Sequence, residues 1–206
     1  MTGGIRVLHV DDDPHFLDLT STVLARQDDR LEVVTESVAA GGLERLTDGA
    51  ASFDCVVSDY QMPEMNGIEL LEAVREQDPD LPFILFTGEG SESLASDAIT
   101  RGATDYLRKG TQSEQYELLA NRITNAVERY RNAQRAAELE RIRRVRSEIN
   151  RAVVHADTRT EIERQTCRLI SEADPYRFAW IRRHDADVNA VEPVAAAVVD
   201  QGYLDA

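Results

Sequence analysis

Four groups of chemically capable residues in this chain each follow a short apolar run. Asp11, Asp12 and Asp13 come after Ile5-Arg6-Val7-Leu8-His9-Val10, and Asp59 comes just after Cys55-Val56-Val57. Thr87 and Gly88 come after Pro82-Phe83-Ile84-Leu85-Phe86, and Lys109 after Asp105-Tyr106-Leu107-Arg108. Apolar runs of this length and β-branched character read as strands buried on both faces, so the polar residue ending each one lies at the rim of a sheet. A single carboxylate there means little, because aspartate is common in loops and caps. Several acids, one acid, a hydroxyl and an ammonium brought in turn to strand ends form a set. An open α/β sheet binds ligands at the carboxyl ends of its strands, near the point where strand order reverses.

A carboxylate is a weak nucleophile toward a phosphoryl group of like charge, and a cation must neutralise both and align them. Mg²⁺ takes oxygen ligands, keeps several waters and uses one or two carboxylates, a demand that Asp12 and Asp59 meet. Asp13 and Pro14 are better explained as the cap and first residue of a helix. Lys109 is the only lysine, and the other 22 of the 23 basic residues are arginine. A lysine is a compact point charge suited to one crowded phosphoryl group, whereas arginine is a broad planar fork.

On these residues, 1 to about 125 resemble the receiver domain of two-component response regulators. The resemblance rests on Asp11-Asp12, on Asp59 with Met62-Pro63 and Gly67 after it, on Thr87-Gly88 and on Lys109. It implies that Asp59 is the phosphoacceptor, that Asp12 binds Mg²⁺ directly and Asp11 mainly through water, and that the Gln61 carbonyl completes the protein ligands. It further implies that Thr87 and Tyr106 form a switch pair, that Lys109 contacts the phosphoryl oxygens, and that a sensor histidine kinase is the partner. Such a protein is no enzyme in the ordinary sense, catalysing only its own phosphorylation and dephosphorylation. One departure stands out: the family usually has proline after this lysine, and this chain has Gly110.

The elements that must position these residues alternate. The pattern predicts strands at 5–10, 31–35, 54–58, 82–87 and 104–107, and helices at 14–27, 38–48, 66–77, 91–101 and from about 113. Alternation of this kind implies a flavodoxin-like, doubly wound parallel sheet of order 2-1-3-4-5, which puts the first and third strands side by side at the switch point.

From Glu114 the helical pattern continues past the end of a lone receiver, through Ile123, Val127, Tyr130 and Ala137, then Ile142, Val145, Ile149 and Ala152. The spacing is three and four with a break in phase after Ala137, as in an interrupted coiled coil, and it predicts a homodimer joined along 115–152. Residues 126–152 are accordingly assigned as a helical linker. Arg141, Arg143, Arg144 and Arg146 lie among Glu138, Glu140 and Glu148, which reads as a solvated helix face, with no direct nucleic-acid contact expected.

The segment 153–206 has a different texture. Thr158-Arg159-Thr160-Glu161 reads as a capping box opening a helix that turns Ile162, Thr166, Leu169 and Ile170 inward and ends at Asp174-Pro175. A strand from Tyr176 to Ile181, a turn from Arg183 to Asp187, and one or two strands from Val188 to Val199, interrupted at Pro193, complete it. With Ile149-Asn150-Arg151-Ala152 it resembles the opening part of a GAF-type sensory domain of archaeal regulators, forming a small, incomplete α+β segment.

Net charge is −15, from 38 acidic and 23 basic residues, which argues against nucleic-acid binding through the bulk surface and resembles proteins of halophiles, where salt screens self-repulsion. No apolar run approaches the length of a membrane span, the start lacks a signal peptide, and Cys55 and Cys167 have no metal spacing. These features point to a cytoplasmic protein with reduced thiols. Three readings stand: a phosphorelay response regulator, the N-terminal fragment of a larger transcription regulator or hybrid sensor kinase, and a Mg²⁺-dependent phosphohydrolase.

Overall fold

The computed structural model describes residues 3–47, 52–88, 91–110, 113–173, 176–185 and 190–198. It divides into two compact units, Met1–Ala133 and Gln134–Ala206.

The first unit alternates strand and helix: β1 (Ile5–Val10), α1 (Pro14–Gln27), β2 (Leu31–Glu36), α2 (Ala39–Thr47), β3 (Cys55–Ser58), α3 (Gly67–Gln77), β4 (Phe83–Thr87), α4 (Glu92–Thr100), β5 (Asp105–Arg108) and α5 (Ser113–His155). The five strands form one parallel sheet in the order β2-β1-β3-β4-β5. This is the expected flavodoxin-like topology, with β1 beside β3.

Strand side chains alternate between two faces, and each face has its own core. Leu8, Val10, Val56 and Leu85 pack with Leu70, Leu71 and Val74 of α3 and Ala98 of α4. Val7, Val57, Ile84 and Phe86 pack with Leu24 of α1 and with Tyr116, Leu119, Ala120, Ile123 and Val127 of α5. The stripe of α5 expected to pair with a second helix is therefore used up on the sheet as far as Val127. Burial of a side chain such as Leu119 or Ile123 is worth about 1.5–3 kcal/mol, so these positions are committed to the core against the sheet. The next turn is tied down as well. The Tyr130 hydroxyl donates to Asp78 Oδ2 at 2.8 Å, and Arg131 donates to Asp54 Oδ1 at 2.7 Å and to the Gly4 carbonyl at 2.7 Å. These contacts carry the first unit past residue 125 to Ala133.

Two helix starts bear on the rim. Asp13 caps α1, its Oδ1 accepting from the His15 and Phe16 amides, with Pro14 following as expected. Asn66 caps α3 in a reciprocal capping box with Glu69, so the loop after β3 ends in a helix start at Gly67.

The second unit contains the far part of α5, α6 (Arg159–Ser171), and an antiparallel pair, β6 (Phe178–Asp185) and β7 (Ala190–Val198). Thr158 caps α6 by accepting from the Glu161 amide. The buried line of α6 is Glu163, Cys167 and Ser171, not the expected Ile162, Thr166, Leu169 and Ile170, which are half-buried. Contact with β6 and β7 decides the face, and Glu163 is held there by Arg159 at 2.8 Å. Arg183 to Asp185 belong to β6, not to a turn, and β7 runs through Pro193 as one strand. A register shift between Ile181 and Arg182 lets the strand absorb the proline, as bulges do. Asp174-Pro175, the rest of the expected turn, and Val188, Asn189 and Val199 lie outside the described residues. No helix among the described residues is long and apolar enough to cross a membrane.

Candidate functional site

The sheet brings the chemically capable residues to one rim because β1 and β3 are neighbours in register, Val10 beside Ser58. Asp11 and Asp59 each follow one of these residues. Their backbones continue the ladder for one more step, the Asp59 amide donating to the Val10 carbonyl at 2.8 Å and the Asp11 amide to the Glu36 carbonyl at 3.1 Å. Asp11, Asp12 and Asp59 each present a carboxylate oxygen within 4.8 Å of the others. Asp11 and Asp59 are buried and Asp12 is exposed, so the cluster has a closed back and an open front.

Lys109 reaches this cluster from β5. Its amide donates to the Thr87 carbonyl at 2.7 Å, and its Nζ lies 2.6 Å from Asp11 Oδ2 and 3.2 Å from Asp59 Oδ2. Burial holds the Asp11 carboxyl above the usual carboxylate value, while the Lys109 ammonium and the Asp13 amide pull it the other way. Behind them, sequence reasoning passed over His9. It is fully buried on β1, 3.9 Å from Asp11 Oδ2, and burial with the nearby Lys109 charge pushes its pKa down to about 3. His9 is thus a neutral wall of the site and no ion-pair partner; nothing in an alternating strand pattern distinguishes it from an apolar residue.

The loop after β3 sets the mouth. Asp12, Gln61, Met62, Pro63 and Asn66 line one open depression, and Glu64 takes a left-handed backbone conformation with φ 67°. The Gly67 amide donates to the Tyr60 carbonyl at 2.9 Å, and a Cβ on Gly67 would collide with the Asp59 carbonyl. Glycine is required here because the helix start runs against the backbone of Asp59 itself.

Thr87 is buried at the end of β4, and Tyr106 is half-buried on β5, packed against the α3/α4 core. They sit on adjacent strands, Tyr106 beside Leu85 and Arg108 beside Thr87. Six of the seven residues singled out in the sequence thus lie at the ends of β1, β3, β4 and β5 or in the loop after β3, and Tyr106 lies within β5. At Gly110, the Gln115 amide lies where a Cβ would be.

The donor set fits a hard divalent cation. All its ligand atoms are oxygens, and Asp59 Oδ1 is buried with no hydrogen-bond partner, which leaves it a lone pair to give.

The model of the response regulator receiver domain family matches residues 7–121. The chain belongs to the response regulator receiver family. Its receiver is 41% identical over 112 residues to the two-component response regulator ORR24 of Oryza sativa subsp. indica, covering 54% of this chain and 17% of that protein. It is 35% identical over 116 residues to the two-component response regulator ARR11 of Arabidopsis thaliana, covering 56% and 22%. The chain thus spans about a fifth or less of the length of these relatives. A response regulator receiver domain protein of Clostridium thermocellum has a similar structure, with TM-score 0.56, 29% identity and 63% of this chain and 98% of that one covered. So does the beryllofluoride-activated NtrC4 receiver domain dimer, with TM-score 0.54, 29% identity and coverage of 61% and 98%. Receivers of this family are signalling modules that are phosphorylated on an aspartate and bind Mg²⁺ in an acidic pocket.

Proposed function

We propose that Asp59 accepts a phosphoryl group from a partner histidine kinase, with Mg²⁺ held by Asp12 and Asp59 directly, Asp11 mainly through water, and the Gln61 carbonyl. The observation that carries this reading is the closure of three carboxylates and the single lysine on one rim. An Asp59 oxygen attacks phosphorus, the bond to the donor nitrogen breaks, and an acyl phosphate forms without an obligatory proton transfer from Asp59. Mg²⁺ held by these residues would supply charge neutralisation between the carboxylates and the incoming group. Lys109 already bridges Asp11 and Asp59, so its ammonium is placed to turn from a carboxylate to a phosphoryl oxygen once Asp59 is modified. Thr87 then follows the new oxygens, and the space it leaves lets Tyr106 turn inward, altering the face formed by α4, β5 and α5.

Intact-mass measurement with Mg²⁺ and acetyl phosphate tests this. Wild type gains one acid-stable, base-labile phosphoryl group and Asp59→Asn gains none; normal labelling of the variant overturns the assignment.

Beyond the receiver, the reading is a homodimer paired through α5, restricted to the part beyond Ala133 by the internal use of Tyr116 to Arg131 described above. The segment 153–206 serves as a GAF-like segment, a reading supported by a capped helix laid on an antiparallel pair. The acidic surface and lysine scarcity support a halophilic origin, for which the check is a rise in unfolding temperature with KCl up to molar concentrations.

A further inference from the structure

Lys109 has a third neighbour besides the two carboxylates. Its Nζ lies 4.4 Å from the centroid of the Phe16 ring. We infer that Phe16 is a positioning residue for phosphoryl transfer, its ring face holding the Lys109 ammonium at the mouth of the carboxylate cluster; this rests on the assignment of Asp59 as phosphoacceptor.

The ring is itself fixed. Its centroid lies 5.7 Å from Phe86, 6.4 Å from Tyr116 and 6.1 Å from His9, three residues of the β1, β4 and α5 layers. Its backbone is fixed by the α1 cap, where Asp13 Oδ1 accepts from the Phe16 amide at 3.3 Å, and Asp13 is in turn held by its own amide donating to Asp11 Oδ1 at 3.1 Å. The run Asp11-Asp12-Asp13-Pro14 therefore builds the acid cluster and, one turn on, aims the ring at the cluster's counter-ion.

Little else around the ammonium can orient it without trapping it. A lysine side chain is flexible, and the residue after it is Gly110, which adds no side-chain restraint to the loop. Two carboxylates attract Nζ, but both are needed elsewhere, one as nucleophile and one beside the metal. A third acid would hold Lys109 too tightly to release it to a phosphoryl oxygen. An aromatic face attracts a cation through its quadrupole, carries no net charge, and accepts motion across its surface. It orients the ammonium and still lets it turn.

The lone lysine makes the test direct, because protein labelled with ¹³C,¹⁵N-lysine gives one set of side-chain signals, all from Lys109. In wild type the Hε protons should be shifted upfield by the ring current. Phe16→Leu and Phe16→Met should move them toward the free-lysine position, whereas Phe16→Tyr should keep the shift. With acetyl phosphate and Mg²⁺, the aliphatic variants should take up label about three- to tenfold more slowly, and Phe16→Tyr should stay near wild type. Two non-aromatic variants of similar volume but different shape guard against a folding defect, which circular dichroism monitors. Unchanged Hε shifts, equal labelling rates, or a Tyr variant as slow as the aliphatic ones overturn the proposal. A wild type that takes no label overturns the phosphoacceptor reading, a result distinct from the ring-current one.

Discussion

At the scale of single residues, the site depends on shape as much as on charge. Lys109→Arg keeps the positive charge but replaces a point donor with a fork in a space bounded by Asp11, Asp59 and the Phe16 ring. The fold should survive, and phosphorylation of Asp59 should slow by about ten- to a hundredfold, the usual consequence of displacing a catalytic group by an ångström; stopped-time intact-mass assays measure it. Gly67→Ala acts through the backbone. The added Cβ meets the Asp59 carbonyl and lies 2.8 Å from Leu85 Cδ1, so either α3 or the strand end must move. We expect a loss of about 1–3 kcal/mol in urea unfolding, together with slowed labelling, since the displaced group is the backbone of the acceptor itself. The acids, Thr87 and Lys109 were legible in the sequence because each ends a run whose apolar character marks a buried strand. Phe16 was not, because its partner is 93 positions away and no periodicity links a helix residue to a strand end. A capped helix start facing an acid pair was the only signal pointing to it.

At the scale of elements, α5 changes partner along its length. Up to Val127 its apolar stripe is core, and at Tyr130 and Arg131 it is fastened by polar contacts to the ends of three other elements. Asp78 caps the C-terminus of α3, Asp54 precedes β3, and Gly4 precedes β1. Arg131→Ala should remove charge-assisted bonds worth about 1.5–3 kcal/mol in total and release the last receiver turn of α5, seen as faster amide exchange after residue 127. Tyr130 titrates with the fold, because burial and the neighbouring Asp78 push its pKa up to about 12. An unfolded tyrosine ionises near 10, so the stabilising effect of the protonated hydroxyl is complete below pH 10 and is lost as pH rises through 12. The stability advantage of wild type over Tyr130→Phe should shrink across that window, measured by denaturant unfolding at pH 9 and pH 11. The sequence showed that α5 is long and that its phase breaks after Ala137. It could not show which half faces protein, since a sheet face and a partner helix ask for the same three-four spacing. The same ambiguity explains α6, where an apolar pattern suggested Ile162 and Ile170 as the inner face and the β6–β7 pair covered Glu163 and Cys167 instead.

At the scale of the whole molecule, charge and exposed apolar surface pull in opposite directions. The chain carries −15 overall, yet residues 134–152 hold six arginines against three glutamates. This is the stretch where Leu139 and Ile142 stand more than half exposed, with Val145, Ile149 and Ala152 only half-buried. In a homodimer this basic stretch faces its own copy, so its like charge adds to the repulsion between the acidic receivers, and burial of the apolar stripe is what favours pairing. Salt should therefore decide the balance: raising ionic strength shortens the range of receiver repulsion and leaves burial of Ile142 and Ile149 intact or stronger. We expect sedimentation to show a dimer at tens of micromolar in molar KCl and weaker association at low salt. Ile142→Glu should abolish it without unfolding the chain, because the side chain is 51% exposed. Ile142→Cys should cross-link to itself, free of interference from Cys55 and Cys167, which are buried. Phosphorylation of Asp59 should change the yield of that cross-link, since α5 is continuous from Ser113 to His155. A protein that stays monomeric at these concentrations in high salt, with or without label on Asp59, has a pairing free energy weaker than about −6 kcal/mol. Helix pairing would then play no part in how the receiver signals.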